Sequence, residues 1–211
     1  MAAHPSTLLK PRKLPIQARA LTTVDAIFDA TIQVLTRQGS GQLTTTRVAD
    51  RAGVSVGTLY QYYPNKHALL YAVLQRHLAR MADIFEQAAH SAHGSSLSQM
   101  VAAAVGAFVN AKTERIDEVR AFYDVADELN AMDLIAEFGA RNSRTVSAML
   151  ATTPSVRFDD LALTSQMFCL AMTGPVSAIF QRSAPTNIMR SLPAQLESLC
   201  LGYLEREAVP A

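Results

Sequence analysis

Between Thr44 and Lys66 the chain gathers side chains able to hold a phosphodiester backbone. Thr44, Thr45, Ser55, Thr58, Tyr60 and Tyr62 supply hydroxyls and Lys66 an ammonium, groups that donate to phosphate oxygens. Four positions in the same stretch suit base edges instead. Thr46, Val56, Gly57 and Gln61 are expected at the floor of a groove. The Gln61 amide can pair with adenine, Val56 can touch a thymine methyl, and Gly57 allows close backbone approach. A rival chemistry is spelled by the same residues: Gly53-Val54-Ser55-Val56-Gly57 reads GxSxG, the turn that presents Ser55 as a nucleophile in an α/β-hydrolase. That turn requires a strand before the serine, whereas Val48-Ala49-Asp50-Arg51-Ala52 carries the single apolar stripe of a helix.

The elements that must position these groups are short helices. From Gln17, residues Val24, Ile27, Phe28, Thr31, Val34 and Leu35 recur at helical steps until Gly39-Ser40-Gly41 ends the run. Thr44 to Thr46 offer hydroxyl caps to a second helix, Arg47 to Ala52, which ends at Gly53. Ser55 can cap a third, from Val56 to about Tyr62, and Pro64 forces its stop. Helix, tight glycine turn and short helix make a helix-turn-helix plan. Ala49 is small enough for close approach, and Val48, Val54 and Leu59 lock the crossing angle.

Charge follows the same division. Residues 1–66 hold eight Lys/Arg against three acids, a net +5, and the remainder is net −4. A basic first third suits a polyanion. Residues 1–16, with prolines at 5, 11 and 15, read as a flexible basic arm. Cys169 and Cys200 stand far apart with no metal-ligand spacing, and the five histidines form no ligand set, so neither a metal nor a cofactor is expected. No uninterrupted apolar run suggests a membrane span and no signal sequence is visible, so a cytoplasmic protein is expected.

Beyond Lys66 the sequence reads as all-α. A long helix runs from Leu69 towards Gly94 and is the natural lever between the two parts of the chain; further segments cover residues 98–113, 117–129 and 132–150. The last two, about 158–181 and 191–205, are the least amphipathic, which fits a homodimeric four-helix interface. Gly174-Pro175 should kink the first of them, and Pro193 is expected in the first turn of the second. Phe108, Phe122, Tyr123, Phe138, Met149, Met167 and Phe168 are candidates to line a ligand cavity, with Asn142, Arg141, Gln166 and Asp124 as polar partners. Core packing accounts for the apolar set equally well, and a solvated face for the polar one. Their composition favours a fairly apolar small molecule.

The run from Leu43 to Leu70, LTTTRVADRAGVSVGTLYQYYPNKHALL, resembles the signature of the TetR/AcrR family. The AGVS turn, the GTLY helix and the Tyr-x-Pro-x-Lys exit occur in one order. The resemblance implies about nine helices: a three-helix DNA-binding domain over 17–66 and a ligand-binding and dimerising domain over 67–211. Its phosphate-contacting positions fall on Thr45, Thr58, Tyr60, Tyr62 and Lys66, and its base-contacting ones on Thr46, Val56, Gly57 and Gln61. Val56 departs from the pattern, because many members carry Arg, Lys or Gln there, so hydrogen-bonded readout should be sparse. The function implied is a homodimeric repressor that binds double-stranded operator DNA and is released by a small, fairly apolar effector. An activator, a DNA-organising or protein-interaction factor, and the hydrolase at Ser55 are the alternatives.

Overall fold

A computed structural model describes residues 18–181 and 186–210, and the expected basic arm lies outside them. The described helices are α1 (Ala18–Gln38), α2 (Thr45–Ala52), α3 (Val56–Tyr62), α4 (Lys66–Ser91), α5 (Leu97–Thr113), α6 (Ile116–Glu128), α7 (Met132–Leu150), α8 (Leu161–Gln181) and α9 (Thr186–Glu207), with a 3₁₀ turn at Ser40–Gln42. One departure from the all-α expectation is a short antiparallel ribbon. Strand β1 (Val156–Phe158) pairs with β2 (Ala208–Pro210), Arg157 lying opposite Val209. Three residues are too few to leave an alternating pattern in the sequence.

The chain forms two compact units. The first takes residues up to His77 together with Asp117–Met132; the second takes Leu78–Ile116 and Asp133–Ala211. Helix α6 therefore belongs to the compact unit that holds α1, α2 and α3. The core of this unit is built from Ile27, Leu43, Val48, Leu59, Leu69 and Leu70, all fully buried. Phe28 and Tyr63 meet with ring centroids 5.7 Å apart, and the Arg76 guanidinium lies 5.1 Å above the Phe28 ring while pairing with Asp25. Burial pushes the Tyr63 phenol up to about 12, so it stays neutral. Where α4 meets α6, the His77 ring stacks on Phe122 at 4.2 Å with its Nδ1 3.6 Å from Glu118.

In the second unit α9 packs against α5 and α8. Phe168, Met172, Val176 and Phe180 form one buried seam along α8, and Leu192, Leu196, Cys200 and Leu204 form another along α9. Both repeat every fourth residue, the spacing of one helix face. Thr164 and Ser165 are buried on α8, and their hydroxyls donate back to the carbonyls of Asp160 and Leu161 at 2.8 and 2.6 Å. Helix α8 continues through Gly174-Pro175. Helix α9 starts at Thr186, earlier than expected, so Pro193 stands inside the helix and not in its first turn. An interior proline costs about 3 kcal/mol in helix stability. Each buried leucine of the α9 seam contributes roughly 1.5–3 kcal/mol, which outweighs that cost and carries the helix past the ring.

Residues 161–180 are, by length and composition alone, apolar enough to cross a membrane, although Thr164, Ser165 and Gln166 interrupt the apolar run. The buried seam and the packing on α9 account for one side of that helix, while Leu163, Met167 and Leu170 stay exposed.

Burial also governs the thiols. It pushes Cys169, which is further affected by the nearby Cys200 thiol, up to about 12, and Cys200 up to about 11. The thiolate is the reactive form. Both cysteines are therefore expected to resist alkylation at pH 7.5 in the native protein and to react rapidly in denaturant, as counted by intact-mass spectrometry. Fast native labelling would contradict the described packing.

Candidate nucleic-acid interface

Three local devices fix the helix pair. Thr44 has extended backbone and its hydroxyl accepts the Arg47 N–H at 3.2 Å, closing the open first turn of α2. Gly53, at φ 68°, turns the chain into the left-handed region, where its N–H reaches Asp50 at 3.3 Å and the next N–H, of Val54, reaches Ala49 at 3.0 Å. A side chain at Gly53 would strain that backbone. Ser55 then caps α3, its hydroxyl accepting the Thr58 N–H at 2.9 Å and contacting the Thr58 hydroxyl at 2.8 Å. This corrects the GxSxG reading. A helix and a left-handed glycine precede Ser55, and its oxygen is occupied as a helix cap.

The orientation of α3 follows from what it buries. Leu59 is fully buried where α3 packs on α2, and Gly57, Tyr60 and Gln61 are left exposed. Thr46 is exposed on the first turn of α2, Val56 and Thr58 are half-buried at the start of α3, and Tyr62 is half-buried with its ring 6.4 Å from that of Tyr63. The Tyr60 hydroxyl lies 3.0 Å from that of Thr45. This bond ties the start of α2 to the exposed face of α3 and sets two phosphate-type donors side by side.

Several cations near the helix pair are engaged within the unit. Arg47 donates to the Gln42 carbonyl at 2.6 Å and to Gln38 at 3.3 Å, and Arg51 donates to Gln33 at 2.6 Å. Both lean on α1 and the turn after it. The Lys66 ammonium, expected on a phosphate, donates to the Ser40 carbonyl at 2.8 Å and lies 2.9 Å from Glu128. Sequence reasoning missed Ser40 and Glu128, because nothing local in the sequence links the end of α6 to the start of α4.

The residues singled out for a ligand cavity are divided between the two units. Phe122 (against His77) and Tyr123 belong to the first unit, as does the exposed Asp124. Gln166 and Met167 are exposed on α8, whereas Phe168, next along the helix, is fully buried. Successive helical residues diverge in direction, which accounts for the contrast. In the second unit Met149 is fully buried, and Phe108, Phe138 and Asn142 are half-buried. The Asn142 Oδ1 atom is shielded from solvent with no hydrogen-bond partner. Arg141 pairs with Asp83 at 2.7 Å and with Glu86, which makes it a surface brace between α4 and α7. Burial lowers the Lys112 ammonium, 5.8 Å from the Phe108 ring centroid, to about 8.

A capped helix pair with an outward second helix, together with a second, largely helical unit, defines the class of helix-turn-helix proteins with a helical companion domain. Comparison with known proteins agrees with that class. Residues 27–73 match the model of the bacterial regulatory proteins of the tetR family, and residues 96–204 match the tetracyclin repressor-like C-terminal domain. The chain belongs to the TetR family. It is 44% identical over 55 residues to the HTH-type transcriptional repressor KstR of Mycobacterium tuberculosis, covering 26% of this chain and 25% of that protein. It is 32% identical over 92 residues to the regulator BetI of Klebsiella pneumoniae, 44% of each. These matches thus span from about a quarter to under half the length of the curated relatives. A TetR-family transcriptional regulator from Mesorhizobium loti superimposes with a TM-score of 0.73 at 16% identity over 92% of this chain and all of that one. The regulator FadR of Bacillus subtilis, solved with stearoyl-CoA, gives 0.63 at 16% identity, covering 83% of this chain and 97% of that one. At such identities the structural likeness speaks for the fold.

Proposed function

We propose that the chain is a cytoplasmic, ligand-responsive transcriptional regulator with no enzymatic activity, a homodimeric repressor that leaves its operator when a small, fairly apolar effector binds. The observation that carries this reading is the outward face of α3, where Gly57, Tyr60 and Gln61 stand on a helix fixed by the Gly53 turn and the Thr45–Tyr60 bond. A rigid, exposed short helix after a glycine turn is the geometry that enters a major groove. Thr45, Thr58, Tyr60, Tyr62 and Lys66 are assigned to phosphates, and Thr46, Val56, Gly57 and Gln61 to base edges. The two roles separate by substitution. Gln61→Ala should weaken discrimination at one base pair by about 1–3 kcal/mol, and Tyr60→Ala should weaken all sequences alike. Binding profiles over a library of single-base variants check both, and a uniform loss from Gln61→Ala would contradict the assignment.

Dimerisation is assigned to α8 and α9. Leu163, Met167 and Leu170 are 53%, 43% and 55% exposed on one face of α8, opposite its buried seam, and Leu199 is exposed on α9. An apolar stripe of this kind marks a surface covered by a partner. Two recognition helices related by a dyad then read half-sites roughly 34 Å or more apart. The effector is assigned to the second unit, near Phe108, Phe138, Met149 and Phe168, with the Asn142 carbonyl oxygen as an acceptor for a ligand donor. The FadR neighbour solved with stearoyl-CoA supports an apolar ligand for this fold. Helix α4, continuous from Lys66 to Ser91, is the lever through which ligand binding alters DNA affinity.

A further inference from the structure

Helix α6 brings an unusual charge into the unit that carries the recognition helix. Residues 117–132 hold Asp117, Glu118, Asp124, Asp127 and Glu128 against the single cation Arg120. An acidic helix inside a DNA-binding unit opposes the attraction that the basic first third supplies. One of these carboxylates is in direct contact with a cation assigned to DNA.

Glu128 is the last residue of α6, Lys66 the first of α4, and Ser40 lies in the turn between α1 and α2. The three close on one another. The Glu128 carboxylate lies 2.9 Å from the Lys66 ammonium, and the ammonium donates to the Ser40 carbonyl at 2.8 Å. His67 Nε2 stands 3.8 Å from the same carboxylate oxygen on a more exposed side chain. Burial pushes the Glu128 carboxyl up, but the hydrogen bonds from Lys66 and Ser40 and the charges of Lys66 and His67 hold it below the usual carboxylate range. The carboxylate is therefore charged at neutral pH. An ammonium has three N–H donors, and two are aimed inside the unit. The Lys66 side chain still keeps 26% of its surface open, so a phosphate oxygen can reach it.

We propose that Glu128 is a positioning residue for Lys66, a clasp from α6 that withholds the lysine's charge from the DNA backbone until a phosphate displaces the carboxylate. This rests on the reading of the unit as DNA-binding. In the clasped state Lys66 and Glu128 nearly cancel as seen from a phosphate. Any movement of the end of α6 away from Lys66 restores the full charge, so the clasp makes DNA affinity depend on where α6 ends.

The test is Glu128→Gln in the full-length protein, with Kd measured across a salt series on a duplex selected by the wild type and on a random duplex. Glutamine keeps the length and the acceptor but removes the charge. Kd is expected to fall roughly three- to tenfold at low salt on both duplexes, with the slope of log K against log salt steeper by about one per subunit. Lys66→Gln should abolish this gain in the double variant. Asp127→Asn, which removes an exposed charge from the same helix, should change Kd less than about twofold. Unchanged or weaker binding by a natively melting Glu128→Gln protein, or a gain that survives Lys66→Gln, overturns the clasp. Should Glu128→Gln fail to fold, the Lys66 ammonium signal of the wild type is followed by NMR: a shift on adding the random duplex supports the proposal, and no shift overturns it. A wild type that prefers no duplex defeats the functional reading instead, a result distinct from either.

Discussion

Leu170→Glu is expected to turn the protein into a folded monomer and to weaken operator binding on the order of a thousandfold, the scale that separates specific from non-specific binding. Leu170 is 55% exposed within its own chain, so the substitution removes no intrachain core contact, and surface changes of this kind shift stability by only about 0.5 kcal/mol. What it alters is the apolar stripe shared with Leu163 and Met167. A carboxylate there would be desolvated without a partner on association, at several kcal/mol per ion. Each monomer would retain one recognition helix and its phosphate contacts, so weak, salt-sensitive binding should persist. Light scattering and titration of the same sample check both parts. A dimer of unchanged affinity would remove α8 from the interface.

Leu59→Ala should destabilise the first unit by about 2–5 kcal/mol, the cost of a leucine-sized cavity that cannot fully collapse. Leu59 is the one fully buried residue of α3, wedged between α2 and the rest of the core. It turns Gly57 and Gln61 outward. Losing it should lower the melting temperature and abolish selective DNA binding together, even though the substituted residue touches no DNA. Loss of stability with intact selectivity would mean that the Thr45–Tyr60 bond and the Ser55 cap hold α3 without it.

Local signals were legible wherever the physics is local. The caps at Thr44 and Ser55, the glycine stop at Gly53 and the span of α3 depend on neighbours a few residues away, and the chain states them directly. The buried seams of α8 and α9 follow from four-residue spacing. Contacts between distant segments were not legible. Nothing near Lys66 announces that Glu128 will meet it, and nothing in Val156 to Phe158 announces pairing with the end of the chain. Pro193 misled for a related reason: proline chemistry favours a first turn, but the packing of Leu192 and Leu196 carries α9 through it. The ligand residues are not legible from composition because Phe and Met serve a core and a cavity equally, and Gln166, Met167 and Phe168 differ in burial along one helix.

Selection of duplexes from a random pool by the full-length protein tests the central claim most directly. The account predicts enrichment of a site with twofold symmetry, two half-sites about one helical turn or more apart, and a base preference that narrows or relaxes with the residue at 61. Recovery of no common sequence, with every duplex bound equally and only through its charge, would contradict it.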